Sequence, residues 1–296
     1  MYFCSFGESL VKQQREAGRT GNAATYQNAI NKLKKYTGQK DIAFKTIDYR
    51  FLKDWEADLL SKGKKVNSIG AYLRAIRAIY NQAIKSGIVE QKLYPFTKYK
   101  IKNEKTVQRT LSKKQITSIE QMEFDDYMME RAKDVFMLSF YFRGMNFRDM
   151  ALLTEDNLQG DRIIYRREKT HKIYSVKIIP KAKELLDKYK SNRPMLLPIV
   201  SKKHCCNREV MIRSAREHLK NYNPRYYHII GVKIGIPKMT TYYARYSWAN
   251  IARKLGYSKD LIAEALGHEY GNKVTGIYLD NYDLEVIDEM NERVCV

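Results

Sequence analysis

The chain has 296 residues, enough for one large domain or two modest ones; 44% are apolar, 29% are charged, and the formal net charge is +21. No run of 18 or more apolar residues occurs, and the opening Met1-Tyr2-Phe3-Cys4-Ser5 lacks the basic end and apolar stretch of a signal peptide. That excludes a helical membrane protein, and the expected compartment is the cytoplasm.

The positive charge is spread along the chain. The first hundred residues hold 19 Lys/Arg and 8 Asp/Glu, and the remainder holds 35 and 25. A cationic surface of this extent implies a polyanionic partner, bound largely through counterion release. Charge alone does not separate DNA from RNA, or an enzyme from a packaging protein.

The first hundred residues read as a small basic helical module. Ser68 to Ser86 is the clearest helix: Ile69, Leu73, Ile76, Tyr80, Ala83 and Ile84 recur mostly at three or four, with Ser68 as a start and Gly87 as a stop. Ala24–Tyr36 and Ile47–Leu60 read similarly, with Gly38 and Gly63 behind them. Tyr94 to Arg109 breaks the pattern with Pro95 and four lysines, and reads as a linker. The expected division is a helical domain over 1–104, a linker to about 110, and a second domain over 111–296.

The second domain opens on a capping-box pattern at Ser112-Lys113-Lys114-Gln115. A helix from about Asp125 to Phe142 follows, then a short helix after Gly144-Met145-Asn146. Alternation between Arg162 and Ile179 predicts a β-hairpin turning near Glu168 to Lys172. Helices are expected over Lys181–Lys190 and Asn207–Leu219, from a cap at Thr240 or Thr241 to Gly256, from Ser258 to Gly267, and over about Asp283–Arg293. The fold class expected is mainly α, with one small antiparallel sheet in the second domain. No internal repeat or low-complexity tract is present.

Several familiar sites are missing: there is no G-x-x-x-x-G-K-S/T phosphate loop, no H-E-x-x-H and no G-x-S-x-G. A nucleotide-driven motor and a zinc hydrolase are therefore disfavoured. Cys4, Cys205, Cys206 and Cys295 lack metal-ligand spacing and read as reduced thiols, and no metal or cofactor is expected. What remains is a set of cationic and hydroxyl groups in the second domain. Metal-free attack on a phosphodiester needs a nucleophile, cations on the non-bridging oxygens, a proton acceptor, and an acid for the leaving oxygen. Arginine suits the phosphate because its planar fork holds two oxygens at once.

Thr240-Thr241-Tyr242-Tyr243-Ala244-Arg245-Tyr246-Ser247-Trp248-Ala249 resembles the arginine box of tyrosine recombinases. Leu266-Gly267-His268, followed ten residues after the His by Tyr278, resembles their LGH box and nucleophile. Phe142-Arg143-Gly144-Met145-Asn146-Phe147-Arg148-Asp149-Met150-Ala151 resembles the R-G-M-x-F-x-D-M-A segment of the Bacteroides-type integrase branch, and Lys169-Thr170 matches the family's hairpin lysine. The first hundred residues resemble the family's SAM-like core-binding domain, so the resemblance covers nearly the whole chain.

The resemblance implies a site-specific recombinase in which Tyr278 attacks a DNA phosphate and is held on it as a 3′-phosphotyrosyl link. Arg245, His268 and Arg143 would hold the developing charge, and Lys169 would protonate the departing 5′ hydroxyl. The implied partners are double-stranded DNA target sites and three further copies of the chain, four in all on two sites. The alternatives are a type IB topoisomerase-like nicking and resealing enzyme, or an architectural DNA-binding protein with a lapsed active site.

Two positions depart from the family pattern. The usual first arginine falls on Asn146, which also reads as a helix cap with Asp149 closing the box, so the cation falls to Arg143 or Arg148. Arg143 is preferred because the R-G-M branch carries an arginine there. Tyr242 stands where the wider family has a His; a phenol can donate to a phosphate oxygen but is a poor base near neutral pH. Finally, Leu284, Ile287, Met290 and Val294 form a stripe on the last helix, and in the resembled family the terminal segment docks on the neighbouring subunit. The stripe either docks on a neighbouring copy in this way or packs on its own domain; on the first reading, removing residues 283–296 abolishes tetramers and recombination and leaves single-site binding intact.

Overall fold

In the computed structural model, which describes residues 2–106, 108–168, 170–191, 194–201, 203, 207–268 and 282–296, the chain divides into two units, Met1–Val107 and Gln108–Val296. The first unit comprises helices α1 (Phe3–Glu16), α2 (Thr20–Tyr36), α3 (Tyr49–Ser61) and α4 (Val66–Lys85). The apolar stripe of α4 is buried at Ile69, Leu73, Ile76, Ile79, Tyr80 and Ala83. An aromatic cluster holds the other end of the module: the Phe44 ring meets Phe3 at 5.2 Å and Tyr80 at 5.1 Å, both edge-on. Gly38, Gly63 and Gly87 follow α2, α3 and α4 with φ between +64° and +69°, the left-handed exit that lets each chain end bond back to its helix.

Three features of this unit differ from the sequence expectation. Helix α1 is an addition; Phe3, Phe6 and Val11 carry its buried face, but Gly7 sits in the middle, where α1 packs so close to Ile30 that a Cβ would lie 2.8 Å from its Cδ1. Ser68 does not cap α4, which begins two residues earlier behind Lys65. The aperiodic stretch after Tyr94 is also no free loop. Phe96 and Tyr99 are buried, the Tyr99 hydroxyl donates to Glu56 at 2.7 Å, and Asn67 exchanges two bonds with the Glu104 backbone.

The second unit contains α5 (Lys113–Glu120), α6 (Tyr127–Tyr141), α7 (Phe147–Ala151), strands β1 (Leu158–Gln159), β2 (Arg162–Arg166) and β3 (Ile173–Lys177), then α8 (Pro180–Lys188), α9 (Arg208–Tyr222), α10 (His228–Lys233), α11 (Tyr242–Lys254), α12 (Lys259–Ala265) and α13 (Leu284–Cys295). Mainly helical with one small antiparallel sheet, this is the fold class the sequence indicates. The Ser112–Gln115 capping box forms with both reciprocal bonds, and Ser258 caps α12 through Leu261 N–H. Thr241 occupies the N-cap of α11 without a side-chain bond, so the expected threonine cap is not made there. β2 pairs with β3 so that Tyr165 faces Tyr174, and the two rings stack at 5.4 Å. The short strand β1 extends the hairpin to a three-stranded sheet.

Helix α6 is buried along nearly its whole length and α5, α8, α11 and α13 pack on it, which makes it the axis of the unit. The terminal helix α13 belongs to this core. Ile287, Met290 and Val294 are at most 3% exposed. Trp248 Nε1 donates to Asn291 Oδ1, and Asn291 Nδ2 donates to the Tyr141 carbonyl. Asp288 accepts both Nη atoms of Arg162. Three residues of the stripe expected to need a neighbouring subunit are therefore buried against the chain's own second unit, and the fourth, Leu284, is exposed. Among the described residues, no helix is long and apolar enough to cross a membrane.

Candidate active site

The site grows from the turn that ends α6. Arg143 and Gly144 both adopt left-handed backbone, with φ of +56° and +69°. Such a conformation is strained for a non-glycine residue, by about 1–3 kcal/mol, and persists only where the surroundings enforce it. Here Gly144 N–H bonds the Ser139 carbonyl, Met145 N–H bonds the Phe142 carbonyl, and the Ser139 hydroxyl returns to the Met145 carbonyl. Gly144 cannot carry a side chain: a Cβ would lie 2.4 Å from Arg245 Cα. The turn thus presses α6 against α11 and turns the Arg143 side chain inward. It is 4% exposed, its Nη2 donates to the Ser175 carbonyl on β3 at 2.6 Å, and its buried Nε has no partner among the described residues. Burial pulls its pKa down to about 10.

Three residues on, Asn146 is spent on structure. Its Oδ1 accepts the Arg148 and Asp149 amides at 3.0 Å, capping α7, and its Nδ2 donates to the Asp149 carboxylate. Asp149 is buried as well, and burial raises its pKa against the opposing pull of Arg167 and Asn146. Its other oxygen accepts the Glu168 amide at 3.2 Å, tying α7 to the hairpin. The Glu168 carboxylate in turn pairs with Arg148 and Arg208. The hairpin end is thus pinned from α7 and α9 at the residue before Lys169.

Arg245 enters from α11, one turn after Tyr242. Its Nη1 donates to the Gly144 carbonyl at 3.1 Å, its Nη2 donates to the Leu266 carbonyl, and the same Nη2 lies 3.2 Å from His268 Nε2. Burial, then repulsion from Arg167, lowers its pKa. His268 is presented by the α12 exit, where Gly267 has φ of +66° and the His268 amide bonds the Ala263 carbonyl. Gly267 is required there for a second reason: a Cβ would overlap the Tyr174 hydroxyl, which donates to its carbonyl at 3.0 Å. Tyr242 is half exposed and its ring sits 6.0 Å from that of Tyr246.

The structure gathers Arg143 and Arg245 around one small cavity with Tyr165, Tyr174 and Leu266, and sets His268 against Arg245. Lys169 and Tyr278 lie outside the described residues. A third arginine, which the sequence reading passed over, lines the same cavity: Arg167, 7% exposed. In sequence it stands in the charged run Arg166-Arg167-Glu168-Lys169, which reads as a solvated hairpin tip. The only advance signal was its place at the end of an alternating strand. Among the described residues, none of the three cavity arginines forms an ion pair with a carboxylate, while nearby Arg148, Arg162 and Arg208 all do. Three guanidinium groups thus share one small pocket without a carboxylate ion pair among the described residues, although the Asp149 carboxylate attracts Arg167 and Arg245; a cluster of this chemistry can hold an oxyanion.

Comparison with known proteins bears on the fold. Residues 2–101 match the phage integrase SAM-like domain. No curated protein sequence matches the chain. Among solved structures, the Tn1549 transposon integrase in complex with transposon right end DNA is similar at 12% identity and a TM-score of 0.64, over 100% of both chains. The lambda integrase dimer bound to a COC′ core site is similar at 15% identity and a TM-score of 0.61, over 96% of this chain and 79% of that one. A lambda integrase tetramer bound to a Holliday junction is similar at 13% identity and a TM-score of 0.62. The chain has the fold of these integrases, and its first unit carries the match to the phage integrase SAM-like domain.

Proposed function

We propose that the chain is a site-specific tyrosine recombinase of the R-G-M-x-F-x-D-M-A branch, acting in the cytoplasm as a homotetramer on two double-stranded DNA sites. Tyr278 attacks the scissile phosphorus, its phenol proton passing to solvent water; the new P–O bond forms as the bond to the 5′ oxygen breaks. Lys169 supplies the proton for that leaving oxygen, and His268 and Arg245 hold the non-bridging oxygens with Arg143. Tyr242 donates to the phosphate from the mouth of the site. Attack by the 5′ hydroxyl of a partner strand on the phosphotyrosine reverses the chemistry, so the bond energy is retained.

The observation that carries this reading is the cluster of buried Arg143 and Arg167 with half-buried Arg245 around one cavity, without carboxylate ion pairs among the described residues and with His268 against Arg245. Burying an unpaired cation costs several kcal/mol, and repulsion between neighbours adds to it. The pentacovalent phosphorane, with more negative charge than the resting diester, repays that cost where it accelerates the reaction. The assignment of Arg143 to the missing first arginine follows from its place on the cavity wall and from Asn146 being committed to its cap.

The test is incubation with a library of nicked duplexes, in which the cut strand loses its distal fragment and the covalent adduct accumulates. The expected result is protein-linked DNA sharing one sequence motif on sequencing of the trapped strands. Tight DNA binding with no linked strand would leave the architectural alternative. Relaxation of supercoils without exchange between two sites would assign the chain to nicking and resealing.

A further inference from the structure

We propose that Arg167 is a third phosphate-holding cation, contacting a non-bridging oxygen of the scissile phosphate beside Arg143 and Arg245; the assignment rests on the recombinase reading above. Arg167 is the first residue beyond β2, its amide closes the hairpin end on the Lys172 carbonyl at 2.9 Å, and His171 returns to the Arg167 carbonyl at 2.8 Å. Its backbone is therefore fixed, and its side chain points back along the sheet into the cavity rather than out with the tip.

The second strand of the argument is what its guanidinium lacks. Among the described residues it makes one long bond, from Nη1 to the Leu266 carbonyl at 3.5 Å, and lies 6.0 Å over the Tyr174 ring. The Leu266 carbonyl is the acceptor that Arg245 Nη2 already uses at closer range. Two guanidinium groups thus converge on one oxygen at the C-terminal end of α12. A helix end and an aromatic face each attract a cation only weakly. Neither accounts for keeping a second, nearly buried arginine next to Arg245. The Asp149 carboxylate accepts from Asn146 and the Glu168 amide; it attracts Arg167 electrostatically but forms no ion pair or hydrogen bond with it among the described residues. An oxyanion with two free oxygens placed in the cavity would accept from both forks at once, which is the arrangement bidentate arginines favour.

A purely structural Arg167 would also lower activity when removed, so the experiment has to separate charge from packing. The probe is the duplex recovered from the trapping experiment, synthesised with its scissile phosphate either natural or replaced by a neutral methylphosphonate. Arg167→Ala and Arg167→Gln are compared with the unaltered chain at equal folded fraction, judged by thermal melting. On the natural phosphate, adduct formation by both variants should fall by about 10²-fold or more. On the methylphosphonate, which has lost the charge Arg167 would neutralise, the deficit should shrink to within about tenfold. An equal deficit on both substrates, or undiminished cleavage of the phosphate, would overturn the assignment. Arg167→Gln is nearly isosteric at its start and keeps N–H donors, so it serves if the alanine variant does not fold. If the unaltered chain traps no strand at all, the recombinase reading itself fails; if it traps normally and the variants show no relief, only the role of Arg167 falls.

Discussion

Replacing Arg143 with alanine should reduce covalent trapping of DNA by about 10²–10³-fold, the range for loss of one preorganised donor to a developing oxyanion. Asn146→Ala should leave trapping largely intact. The contrast follows from where the two side chains are committed. Asn146 accepts two amides at the start of α7 and donates to Asp149, so its loss removes a cap, about 0.5–2 kcal/mol of stability. Arg143 lines the cavity with one bond to a backbone carbonyl and a buried Nε that is unpaired among the described residues. Its strained backbone is held by the Ser139 and Phe142 carbonyls whether or not the guanidinium is present, and alanine carries the same Cβ, so Arg143→Ala should keep its fold with the strain unchanged. The measurement is adduct yield per folded molecule. A collapse for Asn146→Ala with survival of Arg143→Ala would return the first-arginine role to position 146 or its neighbours.

Deleting residues 283–296 should unfold the second unit rather than merely prevent assembly. Ile287, Met290 and Val294 are nearly or fully buried, and each such side chain contributes about 1.5–3 kcal/mol. Removal also takes away the partners of Trp248 Nε1, the Tyr141 carbonyl and the half-buried Arg162. Together these rival the whole stability of an ordinary domain, about 5–15 kcal/mol. The expected result is loss of the cooperative thermal transition of unit 2, with that of unit 1 retained. A truncated chain that melts within a few degrees of the full one would show that α13 contributes little where it sits, and would restore a role for the tail on a neighbour.

That correction shows where the sequence was informative. Periodicity along α4, the Gly38, Gly63 and Gly87 stops, the Ser112–Gln115 box, the Asn146 cap and the β2–β3 hairpin are local devices, written in residues at most a few positions apart. The stripe on α13 was equally legible, but the groove it fills is built from Tyr141, Trp248 and Arg162, up to 150 residues away in sequence. An amphipathic helix announces that it needs a partner and not which one. The same limit hid Arg167, whose direction depends on the hairpin folding over the exit of α12. It also hid the packing of Phe96 and Tyr99, whose lysine-rich surroundings read as solvated chain.

The candidate site was legible to a different degree at each position. Arg245 and His268 were marked by boxes far apart in the chain, and the structure brings their side chains to 3.2 Å. Gly144 and Gly267 flank that contact for steric reasons the sequence does not state: one admits the Arg245 backbone and the other the Tyr174 hydroxyl. Tyr242 marks the opposite case. Its position in the arginine box was plain, yet its half-exposed ring lies beside Tyr246 rather than within the buried cavity.

The central claim is that this cluster of cations serves a covalent step at Tyr278. Its most direct test is the nicked-duplex trapping assay run with Tyr278→Phe beside the unaltered chain, with the linked peptide identified by mass spectrometry. The account predicts that the phenylalanine variant binds the duplex with nearly unchanged affinity and yields no adduct, while the unaltered chain yields one nucleotide-linked peptide containing Tyr278. An undiminished adduct from Tyr278→Phe, or a linkage mapped to any other residue, would contradict it.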